Sequence, residues 1–171
     1  MAKAAGADVF PVDMGMVDQV EGLLDRAVAR GTNDLSQGPA MTREQAVQAI
    51  LTGVELVSVP DTPIPWTGSM DDLTGLQGEA TTSSAILSVL LDYPIDLATG
   101  RGSGLTDAGL MRKRAAIARG IEVNQPDKED VLDVLSKLGG FDIAGMTGAF
   151  LGGALYNVPI IMDGFISGIA A

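Results

Sequence analysis

Val158-Pro159-Ile160-Ile161-Met162-Asp163-Gly164 is a continuous apolar run that closes on a carboxylate and a glycine. A strand covered on both faces by helices reads this way, whereas a half-exposed strand alternates apolar and polar residues. Just upstream, Phe141 to Leu155 is rich in glycine and alanine and free of proline, the pattern of a closely packed helix. Before that, Asp127 to Leu138 reads as a helix with Val131, Leu132 and Leu135 on one face and Gly139-Gly140 as its C-terminal stop. Helices that lead into a buried strand imply an α/β fold, a parallel sheet with flanking helices.

Further out the punctuation stays helical. Thr42-Arg43-Glu44-Gln45 is a capping box, in which the Thr hydroxyl accepts from the Gln45 amide and the Gln45 side chain reaches back. Behind it Ala46, Val47, Ile50, Leu51, Val54 and Val57 recur at helical spacing, so the pattern predicts a helix over 43–57. Thr81 to Leu91 reads as a second helix, ended by Tyr93-Pro94, and Thr106 caps a third that runs to about Val123 and stops at Asn124-Gln125-Pro126. The opening residues, Ala4-Ala5-Gly6-Ala7, read as a helix tail running into a short strand at Asp8 to Val12, so the beginning looks like a cut. Between Met14 and Gln37 the pattern is weak and only turn clusters stand out. Residues 58–80 are anomalous: Pro60, Pro63 and Pro65 alternate with short polar residues, which removes ladder donors and excludes a central strand.

Composition narrows the chemistry. Hydrophobic residues make up 46% of the 171-residue chain and charged residues 19%, enough to bury a core and too apolar for disorder. The net charge of −11 argues against a nucleic-acid partner, because neutralising phosphates needs clustered cations. Arg101, Arg112, Lys113, Arg114 and Arg119 do cluster, and they are read either as a solvated helix face or as one locally basic site. Neither cysteine nor histidine occurs, which excludes disulfides, Cys or His metal sites and Ser-His-Asp triads. No signal peptide opens the chain, and the apolar stretch from Ile143 to Ala171 is broken by Asn157, Pro159, Asp163 and several glycines, so no membrane span is expected. A cytoplasmic location follows as the expectation.

Three features can build a phosphate cradle. Thr81 and Thr82 stand at a helix N-terminus, where free amides and the helix dipole favour an anion; plain capping is the alternative. Gly102 and Gly104 flank Ser103 in a turn that lets backbone approach a ligand, although many turns look like this. Lys113 lies two turns into the following helix and can place its ammonium on a phosphate, or simply face solvent. One anion would recruit all three. Asp163, at the end of the apolar run, and Asp142, just after Gly139-Gly140-Phe141, are each ligand-orienting groups or helix caps.

Several runs carry a family resemblance. Gly38-Pro39-Ala40-Met41-Thr42-Arg43-Glu44-Gln45-Ala46 resembles the Gly-Pro-Ala-Met-Thr/Ser-Arg-x-Gln-Ala segment of the nicotinate-nucleotide–dimethylbenzimidazole phosphoribosyltransferases. Gly100 to Leu105, Asp133 to Met146 and Pro159 to Ser167 agree with the same family in the same order. The resemblance implies a Rossmann-like α/β fold, here truncated at both ends, and homodimers without a cofactor. It implies transfer of phosphoribose from nicotinate mononucleotide to 5,6-dimethylbenzimidazole, a step of cobalamin lower-ligand assembly. Position by position it makes Thr81 and Thr82 the close of a phosphate loop, Gly102, Gly104 and Lys113 a glycine turn with a phosphate-binding lysine, and Asp142 and Asp163 acidic residues of the nucleotide pocket.

The departures are as definite. The family's loop Gly-Glu-Met-Gly-Ile-Gly-Asn-Thr-Thr is replaced by Thr74-Gly75-Leu76-Gln77-Gly78-Glu79-Ala80-Thr81-Thr82, and no strand is expected to lead into it. A local coding error or decay explains a window that diverges while both flanks match. No residue here matches the family's proposed general base, the Glu of a C-terminal Gly-Glu-Gly motif. A second expectation therefore stands beside the enzyme: a non-catalytic relative that binds a nucleotide or ribotide, or pairs with a full-length subunit.

Overall fold

A computed structural model describes residues 4, 6, 8–58, 66–67, 78–102 and 104–171. Its elements are β1 (Val12–Asp13), β2 (Leu24–Asp25), α1 (Arg43–Val57), β3 (Trp66–Thr67), α2 (Gly78–Leu90), α3 (Ile95–Ala98), α4 (Asp107–Asn124), α5 (Val131–Leu138), α6 (Phe141–Tyr156), β4 (Ile161–Met162) and α7 (Phe165–Ala170). The strands form two parallel pairs: β1 beside β2 with Val12 opposite Leu24, and β3 beside β4 with Thr67 opposite Met162. The class is α/β as expected, with helix dominating and little sheet.

The tightest packing is between α1 and α6. A Cβ placed on Gly53 would overlap the Gly145 carbonyl, and one on Gly148 would overlap the Ile50 carbonyl. A Cβ on Gly152 would come within 3.1 Å of Val54 Cα. Gly145, Gly148, Ala149 and Gly152 fall on one helical stripe, and Ala46, Ala49, Gly53 and Val57 are the buried residues opposite. This corrects the expected face of the 43–57 helix. Val47 and Leu51, read as core, are exposed, Leu51 to 57%. Backbones this close leave no room for branched side chains, so the small residues take the seam and the large ones flank it.

Other expectations held with adjusted edges. The Thr42–Gln45 capping box is formed, at 3.2 and 2.9 Å. The helix predicted from Asp127 begins at Val131, because Asp130 caps it by accepting from the Leu132 and Asp133 amides; Leu135 is buried as expected, but Val131 is exposed, and Val134 and Leu138 are buried beside Leu135. Gly139 and Gly140 end that helix in extended backbone, and left-handed residues stand at the ends of three others, Asp92, Gln125 and Asn157. The run at 158–164 gives only Ile161–Met162 as strand, and both side chains are exposed; among the described residues its one neighbour is the two-residue β3. The strand judged absent ahead of the divergent loop is present at Trp66–Thr67, following the last of the alternate prolines. A strand with a single partner needs few ladder donors, so the prolines do not prevent it. The rest of the anomalous 58–80 stretch, from 59 to 65 and 68 to 77, lies outside the described residues.

The weakly patterned segment is also well anchored. Ala40 and Met41 are buried, and their amides donate to the Lys137 and Ser136 carbonyls at 3.1 and 2.9 Å, satisfying the end of α5. That gives the Gly38 to Met41 motif a structural reason. Among the described residues no helix is long and apolar enough to cross a membrane.

Replacing Gly148 by alanine should destabilise the fold by about 3 kcal/mol or more, read as a lowered urea midpoint, because the methyl meets backbone that cannot rotate away. Gly38→Ala, where a Cβ meets nothing within 4 Å, is the control and should leave the midpoint nearly unchanged.

Candidate functional site

Parallel strands send their following segments out from the same edge, and small ligands settle there in α/β proteins. From the carboxyl edge of β3 and β4 the chain re-enters helix at Gly78 on one side and at Phe165 on the other, and α2 and α7 pack together. Thr81 and Thr82 thus sit in the opening turns of α2, three and four residues in rather than at its cap, and both are buried. Asp163 leaves β4 at the same edge and is exposed. Its carboxylate accepts from Ser167 Oγ at 2.8 Å, and that hydroxyl accepts in turn from the Asp163 and Gly164 amides at 3.2 and 3.0 Å. Asp163 is therefore both an edge carboxylate and part of the α7 capping turn. Ser167, fully buried, was not singled out in the sequence, although an Asp followed four residues later by Ser is the available signal.

The second wall is α3 and α4. Ser84 Oγ, buried in α2, lies 2.9 Å from the Ala98 carbonyl and so ties the start of α2 to the residues just before Gly100. Arg114 Nη2 donates to the Asp96 carbonyl at 2.8 Å, tying α4 to α3. The glycine turn is held between these fastenings. Gly102 and Gly104 have φ of +55° and +96°, and a Cβ on either would meet nothing within 4 Å. Their requirement is conformational, and the turn presents open backbone.

Lys113 decides between the two readings of the basic cluster. It is 5% exposed and occupies the buried stripe of α4 with Gly109, Ile117, Gly120 and Asn124. An ammonium removed from water is costly unless it is matched by an anion or strong acceptors, so this is not a solvated lysine. Three others of the cluster are held by protein groups, Arg114 on Asp96, Arg119 on the Ser36 carbonyl and Arg101 on Asp107, while Arg112 is exposed. Asp142 comes from another element, the first turn of α6, where the positive end of the helix dipole suits a carboxylate. Its Oδ1 lies against Gly140, so closely that any side chain at 140 would displace it. Among the described residues no group of three or more carboxylates is placed to hold a metal ion.

The phosphoribosyltransferase family profile matches residues 1–171, the whole chain. The chain belongs to this phosphoribosyltransferase family. Curated relatives named nicotinate-nucleotide–dimethylbenzimidazole phosphoribosyltransferase include those of Clostridium tetani, 45% identical over all of this chain and 47% of the relative, and Acetivibrio thermocellus, 43% identical over 99% and 48%. A crystal structure of CobT from Thermus thermophilus superposes with a TM-score of 0.87 at 33% identity, covering 99% of this chain and 51% of the other. The chain thus spans about half the length of the curated relatives it matches.

Ser84→Ala should cost about 1 to 2 kcal/mol in urea unfolding, since it removes a buried hydroxyl shared between the Ala80 and Ala98 carbonyls.

Proposed function

We propose that the chain forms the phosphate side of a ribotide pocket, in a protein that moves phosphoribose from nicotinate mononucleotide to 5,6-dimethylbenzimidazole, giving α-ribazole phosphate and nicotinate. The observation that carries this reading is Lys113, buried on a helix that follows an open glycine turn and packs against the helix opening with Thr81 and Thr82. A phosphate monoester suits the three groups together: hydroxyls and first-turn amides, exposed turn backbone, and one buried cation. Asp142 and Asp163 take the sugar side in this reading. The names of the relatives supply the two substrates, and a buried phosphate-binding lysine agrees with them. A homodimer in the cytoplasm belongs to the same proposal; the exposed Leu151, Leu155, Ile161 and Met162 support a surface covered by further protein.

The transfer joins a benzimidazole nitrogen to C1′ of the ribose as nicotinate leaves, and the benzimidazole proton passes to a base. Thr81, Thr82, Lys113, Asp142 and Asp163 serve binding in this reading, and the alternative is a ribotide binder without turnover.

Nicotinate mononucleotide should raise the melting temperature of the chain in a concentration-dependent way, as any ligand of the native state does. Lys113→Met, which keeps the buried stem and removes the charge, should fold and lose that shift. An undiminished shift in the variant contradicts the phosphate assignment. Adding dimethylbenzimidazole and following nicotinate release separates the readings: the binder gives the shift without release, the enzyme gives both.

A further inference from the structure

Asp13 is a buried carboxylate that the proposed pocket does not use. It is 3% exposed, at the carboxyl end of β1. Its Oδ1 accepts from the Gly15 and Met16 amides at 2.9 and 2.8 Å, and its Oδ2 accepts from Arg30 Nη1 at 2.5 Å. Arg30 also holds Asp25, at the end of β2, through Nη2 at 2.5 Å. Burial pushes the Asp13 carboxyl up, but the Met16 and Gly15 amides and Arg30 outweigh it and hold it below the ordinary carboxylate value. The group is therefore a fixed charge under ordinary conditions.

What the charge fixes is a loop pressed on α6. Gly15 has φ of +149°, and a Cβ there would come within 2.7 Å of the Phe141 ring and 2.9 Å of the Ala29 carbonyl. The Gly15 carbonyl accepts from the Gly31 amide at 2.9 Å, closing the loop from the other side. One turn further along, a Cβ on Gly145 would come within 2.6 Å of Met14 Cε. Met14 and Gly15 thus cover the first turns of α6 on either side of Asp142, the Met14 side chain lying on Gly145 and the Phe141 ring on Gly15.

We infer that Asp13 and Arg30 are positioning residues, which hold the Met14-Gly15 loop against the start of α6 and so set where Asp142 presents its carboxylate. The consequence for ligand rests on Asp142 belonging to the proposed pocket; the coupling of loop to helix does not. Asp13→Asn keeps the shape and the amide acceptor and removes the charge that anchors Arg30. Asp25→Asn removes the exposed second partner of Arg30 and leaves the loop's own contacts intact.

Amide exchange measured on the full chain reads the coupling without ligand. Asp13→Asn should raise exchange at 143–146 more than at 150–156 of the same helix, with Asp25→Asn near wild type. Exchange that is unchanged, or raised evenly along the helix, overturns the inference. Calorimetric titration with nicotinate mononucleotide reads the consequence: Asp13→Asn should bind roughly tenfold more weakly, a cost in keeping with a misplaced but present ligand group. Unchanged affinity in a variant with locally raised exchange overturns the link to Asp142. A wild-type chain that does not bind at all overturns the pocket reading, while the exchange result still decides the coupling.

Discussion

The backbone of α6 passes so close to that of α1 that neither helix tolerates a Cβ at the crossing, and most of the molecule is arranged around that contact. Gly53, Gly148 and Gly152 remove the side chains that would hold the helices apart, and carbonyl oxygens of each helix lie where the other's Cβ atoms would be. Dispersion between backbones replaces the usual interdigitation of large side chains. The low aromatic content follows: a core with this little space between its layers has few places for a ring. Phe141, at the head of α6, is one such place, and the Met14-Gly15 loop closes over it.

From that axis the rest is positioned by short polar fastenings rather than by extended sheet. Asp130 caps α5 and pairs with Arg43 at 2.7 Å, linking α5 to the start of α1. Burial and the Asp133 and Leu132 amides also act on the Asp130 carboxyl, but Arg43 is the largest influence and holds it below the ordinary carboxylate value. The Ala40 and Met41 amides close the other end of α5. Ser84 fastens α2 to α3, and Arg114 fastens α3 to α4. The β3–β4 pair is short, and α7, which follows β4, packs against α2, the helix that opens with Thr81 and Thr82.

Local signals were legible where a side chain acts on its own backbone. Thr42 with Gln45, Thr106, and the turn at Asn124-Gln125 mark helix ends through contacts a few residues apart, and they appear where the sequence places them. Apolar periodicity misled wherever glycine defines the buried face. Leu51 and Val47 outweigh Gly53 in any hydrophobic count, yet the glycine is inside and they are not. The apolar run at 158–164 misled for a related reason: it predicts a covered strand, and Ile161 and Met162 are uncovered here. Asp13 was illegible because its partners are the distant Arg30 and amides of a loop with no periodicity. For the candidate site, residue types were readable and environments were not. Lys113 looks like any surface lysine in a basic stretch until the stripe it shares with Ile117 and Asn124 is seen to be buried.

The proposed ribotide site rests most heavily on that buried ammonium. Determining the structure of the chain with nicotinate mononucleotide bound, and locating its phosphorus atom, tests that site. The phosphate is expected on Lys113 Nζ, between the opening turn of α2 and the Gly102–Gly104 turn. A well-ordered nucleotide whose phosphate lies elsewhere, with Lys113 making the same contacts as in the free chain, would contradict it.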